Sequence, residues 1–91
     1  MEVQFTPQAD HDIWVIYDYI ARDSLYYADL VTDQIVSCAE NLISMMPRCG
    51  QLKKESPETR EYLWPYDYTI RYTIRDKIYI LRVYKFFKPS I

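Results

Sequence analysis

The chain holds one glycine, one histidine and two cysteines among 91 residues, and each scarcity closes a class of function. Gly50 alone leaves no material for a glycine-rich loop that cradles phosphates. His11 would have to serve any metal site or any Ser-His-Asp or Cys-His arrangement by itself. It lies among acidic residues with no nucleophile motif, and it reads as a solvated surface group. No metal ligand set or cofactor site is expected, and no residue is singled out as catalytic. Cys38 and Cys49 are too few for a disulfide framework and lack C-x-x-C spacing, which points to a reducing compartment. No run of ~18 apolar residues is present. Glu2, Asp10 and Asp12 stand where a signal peptide would need basic residues. The expectation is a cytoplasmic protein with no membrane partner.

The aromatic content is high by contrast. Ten tyrosines, with 49% hydrophobic and 26% charged residues, exclude disorder and low complexity. A chain of this length has room for one domain, expected to span 1–91. Net charge is −2, but it is unevenly spread. Residues 1–46 carry eight acidic side chains against Arg22, whereas residues 60–91 carry seven basic ones against Glu61, Asp67 and Asp76. The basic C-terminal half is suited to an acidic partner surface, and equally to its own acidic N-terminal half.

Period and punctuation divide the chain. Glu2 to Phe5 alternates like a short strand. Thr6-Pro7 supplies an N-cap hydroxyl and a ring preset for the first helical turn. Ala9, Ile13, Ile16, Tyr17 and Ile20 then recur at helical spacing. Asp23-Ser24 breaks this helix and caps a second, whose apolar residues Ala28, Val31, Ile35, Cys38, Leu42 and Met45 step by three and four. So short a break makes an antiparallel helical hairpin. Pro47 ends the second helix, and Pro47 to Thr59 reads as a loop. Arg60 to Trp64 is a short strand. Tyr68, Ile70, Tyr72 and Ile74 alternate with Thr69, Arg71, Thr73 and Arg75 in a strand with one apolar and one basic face. After a turn at Arg75-Asp76-Lys77, the nearly continuous apolar run Ile78 to Tyr84 suits a central strand covered on both sides. The predicted order is β-α-α-β-β-β, an α+β fold with the helical hairpin packed on one face of a small, mostly antiparallel sheet.

The pattern offers one sharp site. Arg71 and Arg75 occupy the phase opposite the apolar residues, and Arg82 joins them if Leu81 and Val83 face the helices. Arginines flanked by threonine hydroxyls on an uncovered sheet face can hold phosphates or carboxylates bidentately, and an ordinary solvated face fits the same pattern. Tyr68 and Tyr72, in phase with Ile70 and Ile74, belong to the core. Cys38 sits at a core step and reads as a small buried hydrophobe.

The segments Val3-Gln4-Phe5-Thr6-Pro7-Gln8-Ala9, Ile16 to Ser24, Met46-Pro47 to Gly50, Tyr68-Thr69-Ile70-Arg71-Tyr72 and Ile78 to Val83 resemble, in order and spacing, the RelE/ParE superfamily of toxins from bacterial type II toxin-antitoxin (plasmid stabilization) modules. The resemblance covers nearly the whole chain. It implies a small toxin held by a cognate antitoxin in a hetero-oligomeric complex. RelE-like members cleave mRNA on the ribosome with basic residues on the sheet, without metal. The chain has Thr69 after Tyr68, Phe86-Phe87 after the last strand, and only Arg60 of the basic residues on the strand that follows the loop. The ParE-like branch, which poisons DNA gyrase by binding, resembles the chain better through its long hairpin and Thr-Pro opening. The chain departs from that branch too, with Gly50-Gln51 in place of Gly-Arg and an aromatic, thinned basic tail, so the alternatives to a gyrase poison are a RelE-like mRNA endonuclease and an inactive antitoxin-binding homologue. The candidate residues for contact with target or antitoxin are Arg60, Arg71, Arg75, Arg82, Tyr84, Lys85, Phe86, Phe87 and Lys88. Exposed Phe86-Phe87 would call for cover by antitoxin or by a second copy.

Overall fold

The computed structural model describes residues 1–54, 56, 58–63 and 67–85. Val3–Phe5 (β1) leads through Thr6 into the helix Pro7–Ala21 (α1). The Thr6 hydroxyl accepts the Ala9 N–H at 3.2 Å and donates to the Ile80 carbonyl at 2.9 Å, so one residue caps the helix and pins it to the sheet. Asp23 and Ser24 N–H groups both reach the Ile20 carbonyl at 3.0 Å. Ser24 then caps Leu25–Ser37 (α2) through the Tyr27 N–H. The two caps fall where their side chains predict them.

Beyond Ser37 the helix continues, but residues Cys38–Ile43 wind as a π-helix. Widening the turn adds a residue to each circuit and retards the phase. Ile43 and Ala39 are therefore buried, while Leu42 is only partly covered and Met45 is 82% exposed. Leu42 still packs against the core, and the α-helical stepping is corrected at Met45, which it places on the core face.

Four further strands follow: Gln51–Leu52 (β2), Thr59–Leu63 (β3), Tyr68–Ile74 (β4) and Ile78–Lys85 (β5). The sheet order is β1-β5-β4-β3-β2, with β1 parallel to β5 and every other pairing antiparallel. The α+β class, the hairpin and the mostly antiparallel sheet agree with the expectation. The predicted β-α-α-β-β-β order gains one strand, because part of the segment read as a loop pairs with β3. β2 is two residues long and both are exposed, so no alternation announces it.

The core lies between hairpin and sheet. Ile16, Ile35, Ile43, Ile70, Tyr72, Ile78, Ile80 and Val83 are buried there, and burial of such side chains contributes ~1.5–3 kcal/mol each before chain entropy is charged. Cys38 is buried too, its thiol pushed up to about 11 by burial. It is a core group, as its position in the helix implies. β5 is an interior strand, between β1 and β4, but is not covered on both sides, since Tyr79 and Leu81 on its far face are only partly buried. A bulge explains why Leu81 departs from the expected phase. Arg71 pairs with Arg82 and Tyr72 with Ile80, leaving Leu81 as the extra residue. Val83 faces the helices as expected, and Leu81 faces away.

Tyr72 ties the exit from the helix to the sheet. Its hydroxyl donates to the Pro47 carbonyl at 2.6 Å, accepts the Gly50 N–H at 2.9 Å and lies 3.8 Å from the Cys49 sulfur. A Cβ on Gly50 would stand 2.7 Å from that hydroxyl and 3.0 Å from the Glu61 carbonyl oxygen. The chain spends its one glycine on this close approach. The left-handed position at Asp67, φ 65°, falls to a residue type that tolerates it.

Candidate functional site

The register that buries Tyr68, Ile70 and Tyr72 directs Thr69, Arg71 and Thr73 to the other side of β4. Across the ladder they meet Leu63, Glu61 and Thr59 on β3, and Tyr84, Arg82 and Tyr79 on β5. This face carries no helix. It is creased by two adjoining open depressions of about 640 and 340 Å³ that share Ser56, Thr59 and Leu81.

Arg71 forms the centre of the face. One terminal nitrogen donates to Glu61 Oε2 at 3.3 Å and to the Tyr84 hydroxyl at 3.1 Å, and the guanidinium lies 5.4 Å from the Tyr84 ring centre. Tyr84 in turn donates to Glu61, and Lys53 Nζ lies 3.6 Å from the same carboxylate oxygen. Burial is the strongest influence on Glu61 and works to raise its pKa. The Tyr84 and Arg71 bonds and the Lys53 charge outweigh it and hold the carboxyl below its ordinary value. Burial, then the Glu61 bond, raises the Tyr84 hydroxyl. Arg71 Nε is buried without a partner among the described residues.

Arg82 shares the register of Arg71 but is held elsewhere. β1 covers β5 only from Ile78 to Ile80, and α1 takes over the uncovered edge beyond. There Asp12 accepts two bonds from Arg82, at 2.7 and 3.0 Å, and the Val83 N–H at 3.0 Å. Burial again opposes ionisation most strongly, yet these bonds keep the Asp12 carboxyl below its ordinary value. Arg75 meets Glu58 at 3.4 Å in solvent, a contact of little energetic weight.

The remaining candidates lie elsewhere. Arg60 lies opposite Tyr72, in the phase of the helix side, and donates to the Gly50 and Arg48 carbonyls at 2.7 and 3.3 Å. Lys85 lies opposite Tyr68, with its ammonium 5.5 Å from that ring centre. Phe86, Phe87 and Lys88 are outside the described residues. The structure therefore brings Arg71, Tyr84 and, by register, Arg82 and Arg75 to one face; it sets Arg60 and Lys85 apart from the Arg71 cluster, while Arg60 and Arg75 both border a groove at the end of β4.

Two features escaped the sequence reading. The acidic partners Glu61 and Asp12 were counted only as charge, although alternation along β3 would have placed Glu61 beside Arg71. The second feature is a set of exposed aromatics on the hairpin, where Trp14, Tyr19, Tyr26 and Tyr27 are 58–70% exposed and Tyr26 meets Tyr27 edge to face. Trp14 and Tyr19 fall outside the buried stripe of α1, so helical phase alone identifies them as unburied. Among the described residues no cluster of His, Cys, Asp or Glu is placed to hold a metal ion. No described helix is long and apolar enough to cross a membrane.

Comparison with known proteins is consistent with this architecture. A family model described as ParE toxin of type II toxin-antitoxin system, parDE, matches residues 3–85. A solved structure titled chromosomal ParDE TA system from P. aeruginosa superimposes with a TM-score of 0.78 at 22% identity, covering 93% of this chain and 95% of that one. At that identity the likeness shows a shared fold. No curated protein sequence matches.

Proposed function

The chain belongs to the ParE toxin family of type II toxin-antitoxin systems, and from that premise we propose that it acts by binding a protein target, DNA gyrase, and is neutralised by a cognate antitoxin in a hetero-oligomeric complex. In this reading residues 1–91 form a single toxin domain that works in the cytoplasm. The open face of the sheet is the contact surface, with Arg71 and Tyr84 at its centre.

The observation that carries the reading is how that face is wired. Glu61 is engaged by Arg71, Lys53 and Tyr84 at once, and Asp12 holds Arg82. Metal-free phosphodiester cleavage needs one group to take a proton and another to give one beside a cationic cradle. Here the carboxylate is already bound to its cations and the phenol already donates to that carboxylate, an arrangement suited to rigid recognition. The fixed Tyr and Arg are also residue types over-represented among binding hot spots.

The test is expression in a host without the antitoxin. The expected result is DNA-damage signalling with filamentation, and inhibition of supercoiling by purified gyrase. New mRNA 5′ ends within minutes of induction, with no damage response, would replace this reading with ribosome-dependent mRNA cleavage.

A further inference from the structure

At the end of the sheet where β4 turns toward β5, apart from the Arg71 cluster, three arginines from three parts of the chain line one open groove of about 490 Å³. They are Arg48 after the helical segment, Arg60 on β3 and Arg75 at the turn, with Leu52 and Ile74 as apolar sides. We propose that this groove binds phosphate groups that together carry two negative charges.

Two observations carry the assignment. Arg60 is set in place from behind: among the described residues both of its bonds use a single terminal nitrogen, to the Gly50 and Arg48 carbonyls. A guanidinium has five N–H donors. The Nε and the second terminal nitrogen therefore keep theirs, with no protein partner among the described residues. The loop that fixes Arg60 is itself fixed by Tyr72 through Pro47 and Gly50, so the fork is held by the core and little ordering is needed on binding.

The second observation is the charge count. The groove is lined by three guanidinium groups and one carboxylate, Glu58, which meets Arg75 at 3.4 Å while both side chains are largely exposed. A monoanionic carboxylate would do little more than exchange with Glu58. A ligand with two negative charges and several acceptor oxygens matches the surplus, and the planar fork of arginine suits a phosphate bidentately. The two charges can come from one free oligophosphate or from two neighbouring phosphodiesters of a nucleic-acid backbone, each a monoanion, and the arginines meet the same phosphate oxygens in either case.

The test is a chemical-shift titration of the full chain with pyrophosphate, at ionic strength held constant with chloride. The expected result is saturable shifts confined to the amides of Arg48, Leu52, Arg60, Ile74 and Arg75. Arg48→Gln and Arg75→Gln, both at exposed positions, should each weaken binding about tenfold or more, and Arg22→Gln on α1 should leave it unchanged. Arg60→Gln should abolish binding; because it also removes support from the Gly50 loop, the two exposed variants decide the matter if it fails to fold. A single-stranded oligonucleotide that binds far tighter than pyrophosphate, with the same loss in Arg48→Gln, assigns the phosphate to a backbone. Equal affinities assign it to a free oligophosphate. Shifts scattered over all basic residues, equal weakening by Arg22→Gln, or an acidic peptide that occupies the groove where pyrophosphate does not would overturn the proposal.

Discussion

The two faces of β4 are made from the same seven residues and have opposite tasks. On the helix side Tyr68, Ile70 and Tyr72 are almost free of solvent, and the Tyr72 hydroxyl gathers the Pro47–Gly50 segment onto the sheet. On the open side Arg71 lies among Glu61, Tyr84 and Lys53, with 32% of its side chain exposed. The first face is costly to change because every atom there has displaced water. On the second, Thr69 and Thr73 are also buried, but Arg71 and its charged neighbours stay in contact with solvent, where their net contribution to folding is small. A fold built this way can alter its contact chemistry with little loss of stability, and substitutions on the two faces should separate cleanly.

The largest effect is expected at Tyr72. Tyr72→Ala should lower stability by ~3–5 kcal/mol, as for other large buried aromatics, read as a fall in the denaturation midpoint. Tyr72→Phe keeps the ring but leaves the Gly50 N–H and Pro47 carbonyl unpaired, and should cost about 1–3 kcal/mol. If Tyr72→Ala stays folded and loses only partner binding, the faces have been assigned the wrong way round.

Gly50→Ala comes next. The added Cβ would meet the Tyr72 hydroxyl at 2.7 Å and the Glu61 carbonyl oxygen at 3.0 Å. One of these partners is backbone and the other is held by two hydrogen bonds, so relief requires moving the loop. A cost of about 1–3 kcal/mol is expected. Combined with Tyr72→Ala, which empties the space, the Gly50 substitution should cost measurably less than it does alone.

How much of this was legible depended on whether local chemistry or distant geometry decided the outcome. Thr6-Pro7 and Ser24 announce their helices because a cap is a contact within four residues. The alternation from Tyr68 to Ile74 announces its strand because the period is intrinsic to the backbone. The π-helical turn at Cys38–Ile43 has no such signature, since an apolar residue at 42, 43 or 45 suits one phase or another. The bulge at Leu81 is equally silent within Ile78-Tyr79-Ile80-Leu81-Arg82-Val83, where neighbouring residues are apolar in both phases. Asp12 looked like one more solvated acid on a helix. Its task at the edge of β5 depends on β1 pairing with that strand only as far as Ile80, a long-range arrangement that nothing near position 12 encodes.

That edge contact should be visible in acid. Asp12 and Glu61 both have folded-state pKa values below their ordinary 3.8 and 4.5. Each contributes stability that is fully present above the unfolded value and is lost as pH falls through the depressed folded value. Asp12→Asn should therefore cost about 1–2 kcal/mol at neutral pH, and the gap from the parent chain should narrow steadily below about pH 4. Thermal midpoints measured from pH 7 down to pH 2 would show it. A gap independent of pH would mean that Asp12 acts by packing rather than by charge.

The smallest effect on folding, and the one that bears most on function, is expected at Arg71. Its contacts are real but compromised: it shares Glu61 with Tyr84 and Lys53, and its Nε is buried without a partner. Removing the guanidinium abolishes one ion pair at a half-exposed site and also relieves that unpaired donor. The two changes oppose one another, and Glu61 keeps two partners. Arg71→Gln should then shift stability by less than ~1 kcal/mol. If the open face is where a partner docks, the same substitution removes the central cation of the surface, and affinity for target or antitoxin should fall by ~2 kcal/mol or more, as for a hot-spot arginine. Arg82→Gln makes the contrast within the face, because Arg82 is bound to Asp12 and sits toward the edge. It should lose more stability than Arg71→Gln and less affinity. Calorimetric melting beside a binding titration on both variants measures the two quantities together. Should Arg71→Gln unfold the chain while leaving affinity intact in whatever remains folded, the open face would be a structural clamp, and the contact surface would have to be sought on the aromatic side of the hairpin.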